Sequence, residues 1–419
     1  MNSILRRAGY TVLGVLLLAL CDTVSFSDEV GAAPPTFEAF PVGSVVTLRS
    51  PRSYSYRHIP GRSRYVSREF SVGIGKTCNE SAEHLPKLDG AANIPITPCF
   101  FQVRVSDISW TGGANFTIKM SDGFTSFSYS PNDFSVEKAF WSGPLRGSRV
   151  SFTIDYTLAN APDTLSFDVN EAAIDRRAGG VLSITEQDNR EHTIVAVQEL
   201  PALAAASRSV AHLSLLANGL RATCTGFMIS ARHMMTNAHC VPDQSVCDSA
   251  YITFGYRYEL DGTWADYEIF RCVRLHIPSV GPLDLAVIEL NGEPGAATAW
   301  GHLVPDTARE KGLYLVQHPW GQPQQISRVD CRVATKSGVG NNPPQKTDFG
   351  HFCDTMQGSS GSPLLNESYK IVGLHHLGIE RTDPAPWNEE NRAVKVELIK
   401  RHMATACAAD SAKCVPGWH

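Results

Sequence analysis

The sequence has little charge imbalance, and the apolar run near its start is too short to cross a membrane. Its 37 basic and 42 acidic residues leave a formal net charge of −5 over 419 residues. A balance this even lacks the basic patches that attract nucleic acid or an anionic membrane. The apolar run from Val12 to Leu20 falls short of the roughly 20 residues that a transmembrane helix needs. We therefore predict no nucleic-acid partner and no membrane span.

The first residues instead have the pattern of an export signal. Arg6 and Arg7 supply positive charge directly ahead of the apolar run. This order predicts a signal peptide over residues 1–27 and a secreted protein, extracellular or periplasmic. Cys21 is an alternative site for a lipid anchor, but the large Leu20 before it disfavours that interpretation.

The cysteines include no C-x-x-C pair, which disfavours zinc sites and redox motifs. Ten cysteines remain after residues 1–27 are removed, and an even number suits disulfides in an exported protein. Sequence alone leaves the connectivity open, so we predict bridges between neighbours, which close modest loops. The predicted pairs are Cys78 with Cys99, Cys224 with Cys240, Cys247 with Cys272, Cys331 with Cys353, and Cys407 with Cys414.

Helical periodicity is scarce, and short alternating stretches between turn signals predict an all-β protein. Segments such as 116–120 and 150–156 alternate apolar and polar residues, and turn pairs such as Gly112-Gly113 separate them, as in a β-sandwich. The predicted layout is an N-terminal β-sandwich-like accessory domain or pro-domain over 28–185, a linker over 186–208, a second strand-rich domain over 209–404, and a cysteine-containing tail over 405–419. Helical spacing at the end of the second domain predicts a closing helix, at Val394, Leu398, Ile399 and Met403.

The strongest local signal for chemistry is the segment Gly358-Ser359-Ser360-Gly361-Ser362-Pro363. Its glycines allow a tight turn that would expose the Ser360 hydroxyl as a nucleophile. The candidate oxyanion-hole donors are Gly358, Ser359 and Ser360, and we expect the amides of Gly358 and Ser360 to converge on one point. A Gly/Ser cluster can also be an ordinary turn or linker, so this hypothesis depends on partners elsewhere in the chain.

Two further segments carry the partners that such a nucleophile needs. In Thr236-Asn237-Ala238-His239-Cys240, a disulfide at Cys240 would hold the backbone beside His239, as a general base requires. Asp284 begins the apolar stretch 284–290, where a carboxylate can orient the imidazole. Each has a plainer alternative, since single histidines are usually structural and an aspartate can simply start a strand.

The order His239, Asp284, Ser360 and the motifs around His239 and Ser360 resemble the trypsin and chymotrypsin superfamily. The resemblance covers about 205–404 and implies two six-stranded β-barrels with the site in the cleft between them. His239 and Asp284 would come from the first barrel and Ser360 from the second. It implies a serine endopeptidase domain over 209–404 that acts on protein or peptide substrates as a monomer, with no cofactor and no metal.

Within the superfamily, three segments resemble the bacterial branch of V8-type glutamyl endopeptidases and lysyl endopeptidases: Asp354-Thr355, 317–321 and 372–376. The resemblance places Thr355 and His375 in the pocket for the substrate side chain before the scissile bond. Asn391 would lie where the lysine-specific kind has an aspartate. An uncharged pocket with Thr and His donors suits a carboxylate, so we predict a weak preference for acidic residues. The alternative is that Thr355 and His375 only satisfy polar groups of the barrel.

A rival interpretation is a non-catalytic secreted recognition protein whose N-terminal sandwich binds glycan or protein. Aromatic residues could form such a face, although a sandwich core is their commoner use. These aromatic residues are Trp110, Phe124, Phe127, Tyr129, Phe140 and Trp141. An esterase is disfavoured because the sequence around Ser360 lacks the G-x-S-x-G motif.

Overall fold

The architecture is that of a computed structural model. It describes residues 40–57, 65–73, 100–123, 125–134, 138–146, 149–157, 162–175, 182–183, 188–217, 220–278, 283–309, 312–334, 346–378 and 390–418. The predicted signal peptide, the predicted Cys78 to Cys99 bridge and Phe124 lie outside these residues. Residues 35–419 form one compact unit.

The N-terminal part of this unit is a β-sandwich. Its strands are β1 (Phe40–Arg57), β2 (Tyr65–Gly73), β3 (Phe100–Gly112), β4 (Phe116–Ser121), β5 (Ser126–Tyr129), β6 (Phe140–Trp141), β7 (Leu145–Arg146), β8 (Arg149–Thr157) and β9 (Pro162–Asp175). One sheet has the order β2, β8, β4, β5, and the other contains β1, β9 and β3, with β6 and β7 on the edge of β3. The predicted sandwich is confirmed.

Alternating side chains of the two sheets fill the sandwich core. In β4, Phe116, Ile118 and Met120 are buried while Thr117 and Lys119 between them are not. This period of two is the pattern that predicted the strand. The apolar faces of β3, β4, β8 and β9 form one cluster, so burial of these faces against each other holds the sheets together.

A short segment leads from the sandwich to the second half of the chain. It contains β10 (Leu182–Ser183), β11 (Glu191–His192), α1 (Thr193–Glu199) and α2 (Pro201–Arg208). The sequence predicted a linker over 186–208, most of this interval, but Ile194, Val197 and Leu203 are buried in the main core cluster. Short helices like these are stabilised mainly by tertiary packing, so their own sequence predicts them poorly.

The first barrel follows. It consists of β12 (Val210–Ala217), β13 (Leu220–Met228), β14 (His233–Thr236), β15 (Tyr251–Phe254), β16 (Glu268–Ile277) and β17 (Ala286–Leu290), with helix α3 (Gln244–Ser249) between β14 and β15. The strand order is β12, β15, β16, β17, β14, β13, and β13 pairs again with β12, so these six strands close on themselves.

The second barrel contains the strands β18 (Tyr314–Gln317), β19 (Gln325–Ser327), β20 (Asp348–His351), β21 (Thr355–Met356), β22 (Pro363–Leu365), β23 (Ile371–Leu377) and β24 (Asn391–Lys395). Six of these strands form a sheet in the order β19, β18, β22, β23, β24, β20, with β11 on the edge of β19. An isolated bridge also pairs His351 of β20 with Val333, which lies between β19 and β20 in the sequence. Short strand β21 pairs with β10 outside this sheet.

The predicted closing helix is present as α4 (Val396–Ala409), and its residues Val396, Ile399 and Met403 are buried. This confirms the predicted fold class of two barrels with a C-terminal helix behind a β-sandwich. Among the described residues, no helix has the length and apolar composition to span a membrane.

The sandwich and the first barrel share a continuous sheet, because β1 pairs with both β9 and β13. In the β1–β13 pair, Phe40 lies opposite Thr223 and Ser44 lies opposite Leu220. Buried polar contacts reinforce this junction: Arg221 donates to the amide oxygen of Gln102 at 3.0 Å.

Four of the predicted disulfides are confirmed. They join Cys224 to Cys240, Cys247 to Cys272, Cys331 to Cys353, and Cys407 to Cys414. The first of these ties the end of β14 to β13, so the backbone next to His239 is covalently held to the barrel wall.

Candidate active site

His239 lies in the turn that follows β14, where the first barrel faces the second. The amide of Cys240 donates to the carbonyl of Asn237 at 3.2 Å, which closes the turn around His239. The His239 side chain is 7% exposed. Because Cys240 is also bonded to Cys224, the imidazole is attached to a backbone with little freedom to move.

Asp284 lies just before β17 and contacts His239 through both carboxylate oxygens. Nδ1 of His239 donates to Oδ2 at 2.6 Å, and the His239 backbone amide donates to Oδ1 at 3.0 Å. The side chain of Asn237 donates to the carbonyl of Asp284 at 2.8 Å. With Nδ1 held as the donor, Nε2 of His239 is left as the nitrogen that can accept a proton.

The charge state of Asp284 suits this task. Burial alone would raise the pKa of Asp284, but the charge of His239 and its hydrogen bond, together with His376, lower it well below the usual range. Asp284 is therefore ionised at neutral pH, where it can stabilise a positive charge on the imidazole.

Ser360 occupies a tight turn between β21 and β22. Gly358 and Gly361 on either side have φ angles of +91° and +88°, which strongly favour glycine. The carbonyl of Ser360 accepts from the amide of Thr225 in β13 at 2.8 Å, and the amide of Gly361 donates to the carbonyl of His375 in β23 at 2.9 Å. The turn is thus bonded to both barrels.

These contacts bring the serine turn to the same wall as His239. Thr225, which binds Ser360, directly follows Cys224, and Cys224 is bonded to Cys240 beside His239. The hydroxyl of Thr225 also donates to the carbonyl of Gly358 at 2.9 Å. The sequence-predicted His239, Asp284 and Ser360 therefore converge on one region between the barrels.

The amides of the serine turn divide into two kinds. The amide of Ser359 donates to the carbonyl of Met356 at 3.0 Å, so it is used within the turn and does not face an oxyanion. The amides of Gly358 and Ser360 have no acceptor among the residues that the structure describes. The carbonyl of Gln357 accepts from the amide of Trp320 at 2.6 Å, which fixes the orientation of the peptide that carries the Gly358 amide.

The side chain of Ser359 is buried and anchors the turn from below. Its hydroxyl donates to Oε1 of Gln317 at 2.5 Å and accepts from the amide of Met356 at 3.1 Å. Gln317 in turn donates to the carbonyl of Asp354 at 2.9 Å. A neutral hydrogen-bond network therefore holds Ser359 beneath the turn.

Of the three predicted pocket residues, His375 and Asn391 lie on the paired strands β23 and β24, and Thr355 lies on the short strand β21. The side-chain amide of Asn391 donates to the hydroxyl of Thr355 at 3.2 Å and to the carbonyl of Cys353 at 2.8 Å. Nδ1 of His375 lies 3.1 Å from Nε2 of His351. Burial and the nearby His351 keep the pKa of His375 well below its usual value, so His375 is neutral at pH 7.

The sequence did not point to three buried residues next to these: Asp348, His351 and His376. His351 and Asp348 share strand β20, and His376 directly follows His375 in β23. The doubled histidine in an otherwise apolar strand was the available signal. Asp348 and His351 gave none, because only the pairing of β20 with β24 brings them to the site.

Two groups of potential metal ligands lie within the described residues. In one, Cys224 and Cys240 flank His239, but both sulfurs are committed to a disulfide. The other contains His233, His276 and Glu289. There the Glu289 carboxylate is bound by the guanidinium groups of Arg274 at 2.6 Å and Arg232 at 3.4 Å, which compete with any cation for its oxygens.

Two six-stranded barrels that meet at a His–Asp pair and a glycine-flanked serine turn define the chymotrypsin-like class of proteins. Residues 224–374 match the family model of the trypsin-like peptidase domain. Over these residues the chain is similar to the trypsin-like peptidase domain, and the predicted resemblance to the trypsin and chymotrypsin superfamily is confirmed.

Two curated relatives overlap part of the chain. It is 29% identical over 167 residues to an uncharacterized protein, y4fB, of Sinorhizobium fredii, and 27% identical over 165 residues to secreted RxLR effector protein 73 of Plasmopara viticola. Each match covers 37% of this chain. The chain spans only 25% and 41% of the length of these two relatives.

Among solved structures, the chain is similar to a Glu endopeptidase in complex with MPD, at 17% identity and a TM-score of 0.39 over 54% of this chain and 99% of that one. It is also similar to a serine endoprotease from Yersinia pestis, at 15% identity and a TM-score of 0.36 over 50% of this chain and 66% of that one.

Proposed function

We propose that the protein is a secreted serine endopeptidase that uses Ser360, His239 and Asp284. The observation that carries this proposal is the His239–Asp284 contact of 2.6 Å on the same barrel wall that binds the turn of Ser360. A buried, ionised aspartate that fixes one imidazole nitrogen leaves the other as a base for a nearby hydroxyl. The coarser conclusion, a trypsin-like peptidase domain, rests on the family match alone.

The proposed reaction is acyl transfer to water. Nε2 of His239 takes the proton of the Ser360 hydroxyl while the oxygen attacks the peptide carbonyl. The amides of Gly358 and Ser360 bind the developing oxyanion, and the imidazolium then protonates the leaving amine. Water then attacks the acyl group on Ser360 while Nε2 of His239 takes a proton from the water. The imidazolium returns the proton to the Ser360 oxygen as the ester bond breaks and the acid product leaves. Asp284 stays ionised throughout and stabilises the imidazolium.

A weak preference for acidic residues before the scissile bond is part of the proposal. The pocket residues Thr355, His375 and Asn391 are buried. Threonine and asparagine carry no charge, and the lowered pKa of His375 leaves it neutral at pH 7. A substrate carboxylate would find hydroxyl, imidazole and amide groups there, and no acidic side chain among these three to repel it. An ammonium group would lack a counter-ion.

Secretion of the protein is also proposed. The N-terminal pattern of an export signal and disulfide-bonded cysteines both favour an oxidising compartment. One curated relative is described as a secreted effector. Protein or peptide substrates and a monomeric state belong to the same proposal.

The test is covalent labelling of the purified chain with a fluorophosphonate probe, combined with casein cleavage. Ser360→Ala should remove labelling and lower turnover by about four orders of magnitude or more without loss of folding. Ser362→Ala is the matched control, because its buried hydroxyl has no hydrogen-bond partner among the described residues. A wild-type chain that is folded but neither labelled nor active would favour the recognition protein instead.

A further inference from the structure

His376 is fully buried between two aspartates, one of them the partner of His239. Its Nε2 donates to Oδ2 of Asp348 at 2.9 Å, and its Nδ1 lies 3.4 Å from Oδ2 of Asp284. The side chains of His376 and Asp348 are 0% and 1% exposed. Oδ2 of Asp284 is the same oxygen that accepts from Nδ1 of His239 at 2.6 Å. Four ionisable side chains thus form one chain of contacts: His239, Asp284, His376 and Asp348.

In this chain of contacts, His376 lies between the carboxylates of Asp284 and Asp348. Burial would lower the pKa of His376, but the charge of Asp348, its hydrogen bond to His376 and the nearby charge of Asp284 raise it to about 10. The other titratable groups facing this region do not supply a competing anion at His376. His375 and His351 have lowered pKa values because they are buried, and they are neutral at pH 7.

Two more charged residues near Asp348 are buried: Arg392 in β24, and Glu390 directly before that strand. Burial lowers the pKa of Arg392, and the charges of Asp348 and Glu390 oppose that effect. The formal charges of Arg392 and Glu390 offset each other. Asp348 therefore remains the anion that holds His376, and His376 remains the cation that contacts Asp284.

We propose that His376 and Asp348 are positioning residues of the catalytic site: Asp348 holds an imidazolium at His376, which fixes and partly neutralises the Asp284 carboxylate that orients His239. This rests on the proposed function, since it takes His239 and Asp284 as the general base and its partner. The second contact to Oδ2 prevents rotation of the carboxylate away from His239. It also moderates how strongly Asp284 favours protonated His239.

The neutralisation of Asp284 by His376 changes the pH at which His239 can act as a base. An uncompensated buried Asp284 would stabilise the imidazolium form of His239 more strongly. The free base would then be available only at higher pH, so the acid limb of the pH–rate profile would move upward. With the His376 imidazolium present, the base remains usable at lower pH.

The experiment uses Asp348→Asn and the double variant of His376→Gln with Asp348→Asn, which removes the cation and its counter-ion together and so leaves no unpaired buried charge. We expect kcat to fall about 10- to 100-fold with KM unchanged, and the acid limb to rise by about one pH unit. His276→Gln is the control, since His276 is another buried histidine, whose neighbours are His233, Arg274 and Lys413. A lower melting temperature with unchanged kcat and unchanged pH profile would overturn the proposal.

A second measurement does not need activity. In the full chain with isotope-labelled histidine, NMR should show the His376 ring protonated on both nitrogens from about pH 6 to beyond pH 9. Asp348→Asn should shift the Nδ1 proton resonance of His239, three contacts away. If the His376 ring titrates near its ordinary value, or if the His239 resonance does not respond, the proposal fails even in an active enzyme. A wild-type chain unreactive to fluorophosphonate would instead refute the proposed function, while the NMR still decides whether His376 positions Asp284.

Discussion

The α-carbon of Gly361 lies so close to the carbonyl oxygen of Thr225 that a β-carbon added there would stand 1.9 Å from that oxygen. The same β-carbon would lie 2.4 Å from the hydroxyl oxygen of Thr236. The serine turn of the second barrel thus packs against two strands of the first barrel, and only glycine permits that approach. The position of Ser360 relative to His239 depends on this close packing.

We expect Gly361→Ala to displace the serine turn and to abolish most activity. The added methyl group meets backbone oxygen, and the φ angle of +88° is unfavourable for alanine, so the free energy of unfolding should fall by roughly 3 kcal/mol or more. Gly417→Ala is the control, because Gly417 has a φ of +81° with open space around it and should cost only about 1 kcal/mol. Urea unfolding and fluorophosphonate labelling measure both effects. Equal losses in the two variants would contradict the close approach.

The Cys224–Cys240 disulfide should affect activity as well as stability. Replacing both cysteines with alanine should cost about 3 kcal/mol of stability through loop-closure entropy, and it should also lower kcat because the backbone beside His239 is released. Replacing Cys407 and Cys414, which lie at the end of α4, should cost about 2 kcal/mol and leave kcat unchanged. Thermal unfolding and peptide cleavage below the lower melting temperature separate the two outcomes. An unchanged kcat in the Cys224 and Cys240 variant would show that His239 is held in other ways.

Protonation of His376 should make stability depend on pH in a definite window. The folded chain keeps the His376 proton up to about pH 10, whereas the unfolded chain releases it near pH 6.5. The folded state therefore binds more protons in between, and the stabilisation is complete below about pH 6.5 and is lost as pH rises toward 10.

This dependence can be measured against the double variant at His376 and Asp348. The difference in unfolding free energy between wild type and variant should be largest near pH 6 and should shrink toward pH 10. Urea titrations at several pH values in this range give the difference directly. A difference that stays constant across the range would mean that His376 is neutral in the folded protein.

The sequence predicted those parts of the fold that depend on local pattern. The alternation in 116–120 gave β4, and the helical spacing after Val394 gave α4. It did not predict α1 and α2, because helices of only seven and eight residues gain their stability from burying Ile194 and Leu203 in a core made by distant segments.

The same distinction applies to the site. His239, Asp284 and Ser360 can be proposed from the sequence because each lies in a motif with supporting neighbours, such as Cys240 or Gly361. Asp348 has no such neighbours. Its proposed role follows from the pairing of β20 with β24 and of β24 with β23, which brings it within 2.9 Å of His376. Register between strands far apart in sequence sets that distance, and single-sequence patterns carry little information on it.

The hydroxyl of Thr355 provides a direct test of the proposed pocket. Thr355→Val keeps the shape of the side chain but removes a donor that a substrate carboxylate would use, so kcat/KM for peptides with glutamate before the scissile bond should fall about 10- to 100-fold. Peptides with apolar residues at that position should be cleaved at nearly the wild-type rate. Thr193→Val is the control, because Thr193 is equally buried and its hydroxyl has no hydrogen-bond partner among the described residues. Sequencing the products of a peptide mixture by mass spectrometry gives all these rates together. If Thr355→Val slowed cleavage of glutamate and apolar peptides equally, Thr355 would be a packing residue of the second barrel and the acidic preference would have lost its donor.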